Sequence, residues 1–319
     1  MRWRTRNYTK IQNEKSAEEK ISVKDFSPKS NMNKVNRSAL LIKLIRRGPL
    51  HFAILVICGL WFLPTFGLLV SSFRPPDLVM STGWWKSFKT PFAFTLDNYL
   101  HVLTTGNMAR SFFNSLMIAI PSTVMPIMIA AFAAYAFSWM KFPGRDVLFL
   151  MLIGLLVVPI QMTLIPVLRI FNRFHLTGTF LGIWLAHTAY GLPFAVYLLR
   201  NFIGELPGSI FESAFLDGAN HFDIFFRLVL PTSMPAISSL ATFQFLWVWN
   251  DLLVALIYLG GTPRVAPMTV TISNLVNSYG GGWELLTSAA FISMILPIIL
   301  FFSLQKYLVR GILTGSIKG

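Results

Sequence analysis

The chain has 319 residues, 54% of them apolar and only 13% charged. So few charges cannot solvate a compact globule of this size, and the composition excludes a soluble domain in favour of a membrane protein. The formal net charge of +14 sits mostly in the first 49 residues, where thirteen Lys and Arg face four acids, which suits anionic lipid headgroups better than nucleic acid.

In chain order, residues 1–49 have the Ser, Asn and Lys content of a disordered basic leader, with no apolar h-region before Leu40 and no small-residue cleavage site. Six apolar stretches then have the length to cross about 30 Å of hydrocarbon as helices. They run from His51 to Val70, Phe112 to Trp139, Val147 to Leu168, Phe180 to Phe202, Ala236 to Leu259 and Leu286 to Leu304. Pro64, Pro121, Pro126, Pro159, Pro193 and Pro297 punctuate them. These predict kinks rather than interruptions, because neighbouring helices can satisfy the freed backbone groups. The lone cysteine, Cys58, falls inside the first stretch and has no intrachain partner. The fold class is therefore all-α and polytopic, with residues 50–319 forming one six-helix domain. Six crossings place both termini on one side of the bilayer, and the Lys and Arg clustered before the first crossing assign that side to the cytoplasm.

Between the fourth and fifth stretches lies ELPGSIFESAFLDGANHFDIFFRLVLPTSMP, residues 205–235. Ser209 with Glu212 three residues on has capping-box spacing, which predicts a helix from there to near Gly218. Asn220 with Asp223 repeats the signature and predicts a second short helix, apolar at Phe222, Phe225, Phe226 and Val229, that ends at Pro231. Burying Glu212, Asp217 and Asp223 in lipid would cost about 2.5–3.5 kcal/mol each. Residues 204–234 therefore form a helix-turn-helix outside the membrane core, held at its surface by phenylalanines. Helix physics alone leaves this segment an amphipathic connector in which Glu212 is only a cap.

The run Glu212-Ser-Ala-Phe-Leu-Asp217-Gly218-Ala219, followed by Phe226, Leu230-Pro231 and Pro235, resembles the cytoplasmic "EAA" loop of ABC importer permeases. Ser213 departs from that pattern, standing where the first alanine is usual. Further matches are AAFAAYAFSWMKFPGRD (130–146), FQFLWVWNDLLVAL (243–256) and RGILTGSIKG (310–319). With these, the chain from Leu50 to Gly319 is similar to sugar-importing permeases of the maltose-permease type, and specifically to the smaller six-helix partner of their heterodimer. VVPIQMTLIPVLRIFN and GIWLAHTAYGLPFAVYLLRNFIGELP resemble permeases for alpha-glucosides.

This resemblance implies a subunit of an ATP-driven sugar importer in the cytoplasmic membrane. Its partners would be a second permease subunit, an ATPase dimer and an extracytoplasmic solute-binding protein. ATP and Mg would sit on the ATPase, and this chain would bind no cofactor. The resemblance also implies that the loop helix enters a groove of one ATPase subunit. There Phe211, Ala214 and Phe215 would form the apolar docking face, Glu212 and Asp217 would pair with basic or donor groups, and Gly218 would permit the tight turn. The C-terminal tail around Gly311 to Lys318 would reach between the ATPase subunits.

The residues themselves carry no G-x-x-x-x-G-K-[ST] loop, no H-E-x-x-H helix and no G-x-S-x-G elbow, so the chain is not read as an enzyme. Gln161, Asn250 and Asp251 lie within the expected spans, where such groups face a protein interior or a watery path. Trp247 and Trp249 beside Asn250 and Asp251 combine aromatic platforms with acceptors, as a sugar requires. The same residues equally suit interhelical hydrogen bonds and an interfacial aromatic belt. Two outward segments, Arg74–Arg110 and Gly260–Trp283, are long enough to receive a solute-binding protein, or simply to anchor at the headgroups through Trp84 and Trp85. His101, His175, His187 and His221 are scattered without ligand spacing and read as structural. The alternative class is a secondary carrier, which should show inverted repeats and paired ionisable residues at the midplane. Asp251 alone is a poor instance of that.

Overall fold

Proline decides where the apolar stretches run unbroken and where they fold back. The computed structural model describes residues 37–89, 94–104, 107–275 and 281–316, the side chains of 37–47 and 304–316 excepted. The leader up to residue 36, parts of both outward segments and residues 317–319 lie outside the described residues, and with them most of what was expected of the leader and the C-terminal tail. In chain order the helices are α1 (Arg37–Ser72), α2 (Pro76–Ser81), α3 (Asp97–Thr104), α4 (Met108–Trp139), α5 (Arg145–Gly154), α6 (Ile160–Arg173), α7 (Phe180–Gly204), α8 (Gly208–Leu216), α9 (His221–Ile224), α10 (Leu230–Thr232), α11 (Met234–Trp249), α12 (Leu253–Leu259), α13 (Met268–Ser273) and α14 (Trp283–Ser316). There is no strand among the described residues. The chain divides into two compact units, Met1–Leu63 and Pro64–Gly319, at a boundary inside α1. α1 itself begins at Arg37, within the stretch expected to be a leader.

Four stretches are single helices long and apolar enough to cross a membrane: Gly48–Ser72, α4, α7 and Trp283–Ser303. The expected third crossing is not continuous. α5 and α6 are bent by 103° across a short break at Val158 and Pro159. Val158 is extended with ψ 117°, the conformation that a following proline favours, and the helix restarts behind Pro159. The expected fifth crossing, Ala236 to Leu259, is also divided. α11 has 16 residues, and at about 1.5 Å rise per residue it falls short of the hydrocarbon thickness. It stops at Asn250 before the short α12 begins, and its other end is bent by 71° from the helical run His221–Thr232.

α4 and α7 are the interior helices, with 44% and 50% of their apolar windows buried, against 11% for Gly48–Ser72 and 17% for Trp283–Ser303. Small residues let them approach closely: Ala130, Ala131 and Ala134 on α4 are buried. On α7, a Cβ at Gly191 would come within 2.5 Å of the Gln244 amide on α11.

The prolines inside the spanning helices expose backbone carbonyls, since proline has no N–H to donate to the residue four earlier. Three of these carbonyls are taken up by side chains from other helices. Pro121 frees Met117, whose carbonyl accepts from Trp184 Nε1 on α7 at 2.8 Å. Pro126 frees Ser122, whose carbonyl accepts from Gln244 Nε2 on α11 at 3.2 Å. Pro297 frees Ser293, whose carbonyl accepts from Trp249 Nε1 at 3.1 Å. Removing the Gln244 or Trp249 donor while keeping the apolar volume should leave a bare acceptor inside the protein, at a cost of about 1–3 kcal/mol. Trp249→Phe and Gln244→Leu are therefore expected to lower the thermal midpoint of the purified chain in detergent. Trp61→Phe, at a residue 82% exposed, serves as the control and should leave it unchanged.

Candidate functional site

The 204–234 segment starts at Leu206-Pro207. Pro207, with φ −61°, stands at the N-cap of α8 and supplies no side-chain bond. The expected Ser209–Glu212 capping box therefore does not form. Ser209 already lies inside the helix, and its carbonyl accepts from Ser213 Oγ at 2.9 Å. The other end behaves as expected of a glycine stop. Gly218 has φ +80°, Ala219 N–H donates to the Ala214 carbonyl and Gly218 N–H to the Phe215 carbonyl, both at 3.0 Å. That bond pair is a Schellman motif, and it satisfies carbonyls that the helix end would otherwise leave bare. Asn220 then caps α9 as expected, its Oδ1 accepting from Phe222 N–H at 2.9 Å and Asp223 N–H at 3.0 Å. The helical run does not end at Pro231. It passes through a π-helical turn, Phe225–Val229, into α10, which carries Pro231 at its second residue.

The expected docking residues divide by this geometry. Phe211 is 2% exposed and stacks on Trp139 with ring centroids 3.8 Å apart, so it faces inward and cannot belong to an outer docking face. Ala214 is half-buried against the same cluster. Glu212, Phe215, Asp217 and Gly218 are exposed. Sequence reasoning missed two outer residues, Leu216 at 88% exposure and Phe222 at 72%, although the acids beside them mark a solvent-facing tip. Asp223 and Arg227, one turn apart, pair at 3.5 Å beside the Gly218 turn and line a hollow with Ala214 and Asp217.

The expected substrate-path residues do not form one group. Trp249 is buried, stacks on Phe245 and spends its N–H on the Ser293 carbonyl, so it is core. Asp251 caps α12, its carboxylate accepting from Val254 N–H at 3.2 Å and Ala255 N–H at 2.9 Å. Its own carbonyl accepts from Thr269 Oγ1 at 2.6 Å. Asn250 is exposed, with Nδ2 donating back to the Leu246 carbonyl, and Gln161 is exposed on α6. Trp247 stands edge-on to His187 at 5.3 Å. His187 is fully buried, with Nε2 at 3.7 Å from the Asp251 carboxylate, which is too long for a hydrogen bond. Nothing in the sequence signals this proximity, because the two positions are 64 apart with the whole 204–234 segment between them.

Unbroken and bent membrane helices, with an acidic helix pair between the fourth and fifth stretches, are the arrangement that the resemblance to ABC importer permeases implies. The chain belongs to the family described as binding-protein-dependent transport system inner membrane component, which it matches over residues 112–314. It is 57% identical over 289 residues to the osmoprotective compounds uptake permease protein GgtD of Synechocystis sp., covering 90% of this chain and 97% of that one. It is 42% identical to the alpha-glucoside transport system permease protein AglG of Rhizobium meliloti, covering 86% of this chain and 99% of that one. A bacterial ABC transporter involved in the import of the acidic polysaccharide alginate shares the fold with a TM-score of 0.67 at 18% identity, over 86% of this chain and 98% of that one. The alginate transporter in complex with its pentasaccharide-bound periplasmic protein matches with a TM-score of 0.54 at 17% identity, over 82% and 94%. The chain is thus an inner membrane component of a binding-protein-dependent transport system.

Asp251→Ala should cost about 0.5–2 kcal/mol of stability through the lost cap, with Asp251→Asn retaining most of it. Thermal unfolding in detergent checks the cost, and the order of competing sugars in uptake should not change. At Gly218 a Cβ would meet nothing within 4 Å, so any penalty comes from the left-handed backbone alone. Gly218→Ala is therefore expected to cost about 1–2 kcal/mol locally and Gly218→Asn less. Amide exchange at Ala219, whose N–H closes the turn, reads the difference.

Proposed function

We propose that this permease imports a small neutral glucoside across the cytoplasmic membrane, with both termini and the 204–234 segment in the cytoplasm, driven by a separate ATPase that grips that segment. The observation that carries the reading is the tip of α8 and α9. Glu212, Leu216, Asp217 and Phe222 stand exposed together on a helix pair whose inward side is packed by Phe211, Ile224 and Phe225. An apolar projection flanked by acids suits a groove with apolar walls and basic or donor rims. The chain has no phosphate-binding loop, so ATP and Mg belong to that partner.

The names of two relatives support the substrate class. One is named for osmoprotective compounds and another for alpha-glucosides, and polyhydroxylated glucosides satisfy both descriptions. A second permease subunit completes the path, as the resemblance to the smaller partner of a heterodimer implies. A solute-binding protein delivers it to the opposite face, where α2 and the loop before α13 lie. The alginate transporter crystallised with its periplasmic protein supports that arrangement.

The test is co-purification and uptake. Leu216→Asp and Glu212→Arg are expected to weaken retention of the ATPase by about tenfold or more, as truncation of a central interface anchor does, while the chain remains inserted in the membrane. Uptake of labelled glucosides into vesicles should fall with it. Full retention of the ATPase by Leu216→Asp with normal uptake would refute the docking role. A labelled panel of alpha- and beta-glucosides, with and without ATP, tests the substrate.

A further inference from the structure

The 204–234 segment is joined covalently to α7 and α11, yet its packing is directed at a third helix. Phe132, Tyr135 and Trp139 occur on α4 at spacings of three and four, so they share one face near the end of that helix. Each meets a different part of the segment. Trp139 stacks on Phe211 of α8 at 3.8 Å, lies 3.7 Å from where a Cβ of Gly208 would be, and donates Nε1–H to the Ile203 carbonyl at 3.0 Å. Tyr135, 4% exposed, meets His221 at the start of α9, Oη to Nδ1 at 2.8 Å. Phe132 stacks on Phe225 in the π-helical turn at 4.3 Å. The stripe therefore touches α8, α9 and the π turn in order along one line.

Force applied at Leu216 and Glu212 would swing a segment held only by its two chain connections. Three aromatic contacts along one face remove that freedom, so a tilt of the tip must turn α4 with it. We infer that Phe132, Tyr135 and Trp139 are positioning residues for transport, making α4 the first membrane helix to receive the motion of the segment. The inference rests on the docking reading above, and it concerns the inward side of the segment rather than the tip that the ATPase would touch.

The experiment uses the whole importer in liposomes, measuring glucoside uptake and ATP hydrolysis in the same preparation. Trp139→Ala is expected to keep the ATPase bound and hydrolysing while the solute moved per ATP falls by about tenfold. Trp139→Phe, which keeps a ring against Phe211, should restore most of that ratio. A residue that served only to hold the fold would lower uptake and hydrolysis together and leave the ratio unchanged, which would overturn the inference. Should Trp139→Ala fail to assemble, Trp139→Cys with Phe211→Cys on a Cys58→Ser background gives a second reading. Bridging that pair with a short bifunctional thiol reagent should raise the ratio above that of the unbridged pair, and a bridge that lowers it overturns the inference. Loss of the ATPase from the wild-type complex would sink the docking reading and this inference with it, whereas an unchanged ratio with the ATPase retained sinks this inference alone.

Discussion

A carbonyl in hydrocarbon has no water to turn to, and three of the prolines inside the spanning helices of this permease are arranged around that fact. Proline inside a spanning helix removes one donor and strands one acceptor. Here the stranded acceptors at Met117, Ser122 and Ser293 are met by Trp184, Gln244 and Trp249. These bonds cross between helices, so each proline becomes a tie rather than a flaw. They also fix rotation. Gln244 can reach the Ser122 carbonyl only because α7 presents Gly191, with no side chain, to the amide group on its way.

The same accounting explains the short helices. α8 ends by donating two N–H groups back into its last turn through Gly218, and α9 begins on the Asn220 side chain, so the turn between them leaves few free backbone groups. α12 begins on the Asp251 carboxylate in the same way. An acid within an apolar stretch costs least where backbone donors converge on it, and the start of a helix supplies such donors. That is why the fifth stretch breaks at the acid, where hydropathy alone predicts a continuous helix.

Much of this was legible beforehand. The four unbroken crossings follow from apolar length, and the acidic segment from the cost of placing Glu212, Asp217 and Asp223 in lipid. Gly218 and Asn220 were readable because their roles depend on residues close to them in the chain. What escaped were long-range pairings. Trp249 reads as a sugar platform from its neighbours Asn250 and Asp251, yet its partner is a carbonyl 44 residues away, freed by a proline in another helix. Phe211 reads as an exposed anchor because helix spacing gives a face without saying which way it points. The bend at Val158 and Pro159 was misread because proline in α4, α7 and α14 does leave the helix whole. The difference lies in the extended residue ahead of Pro159, which ends the α5 run before the proline is reached.

Assigning polar side chains to backbone duty has a consequence for the solute path. Of the polar residues that first suggested a sugar site, Trp249 and Asp251 are committed to carbonyl and N–H groups, and the Asn250 amide nitrogen bonds its own helix. Gln161 on α6, the indole N–H of Trp247 and the oxygen of Asn250 are what this group has left to offer a hydroxyl. Hydrogen-bonded recognition of a hydroxyl-rich solute draws on a set of well-placed donors and acceptors, since each unmatched polar group counts against binding. As a recognition site this one group is weak on its own. The physical work concentrated in this chain is therefore in its helix ties and in the aromatic stripe along α4, which keep the movable segment and the membrane helices in one mechanical unit.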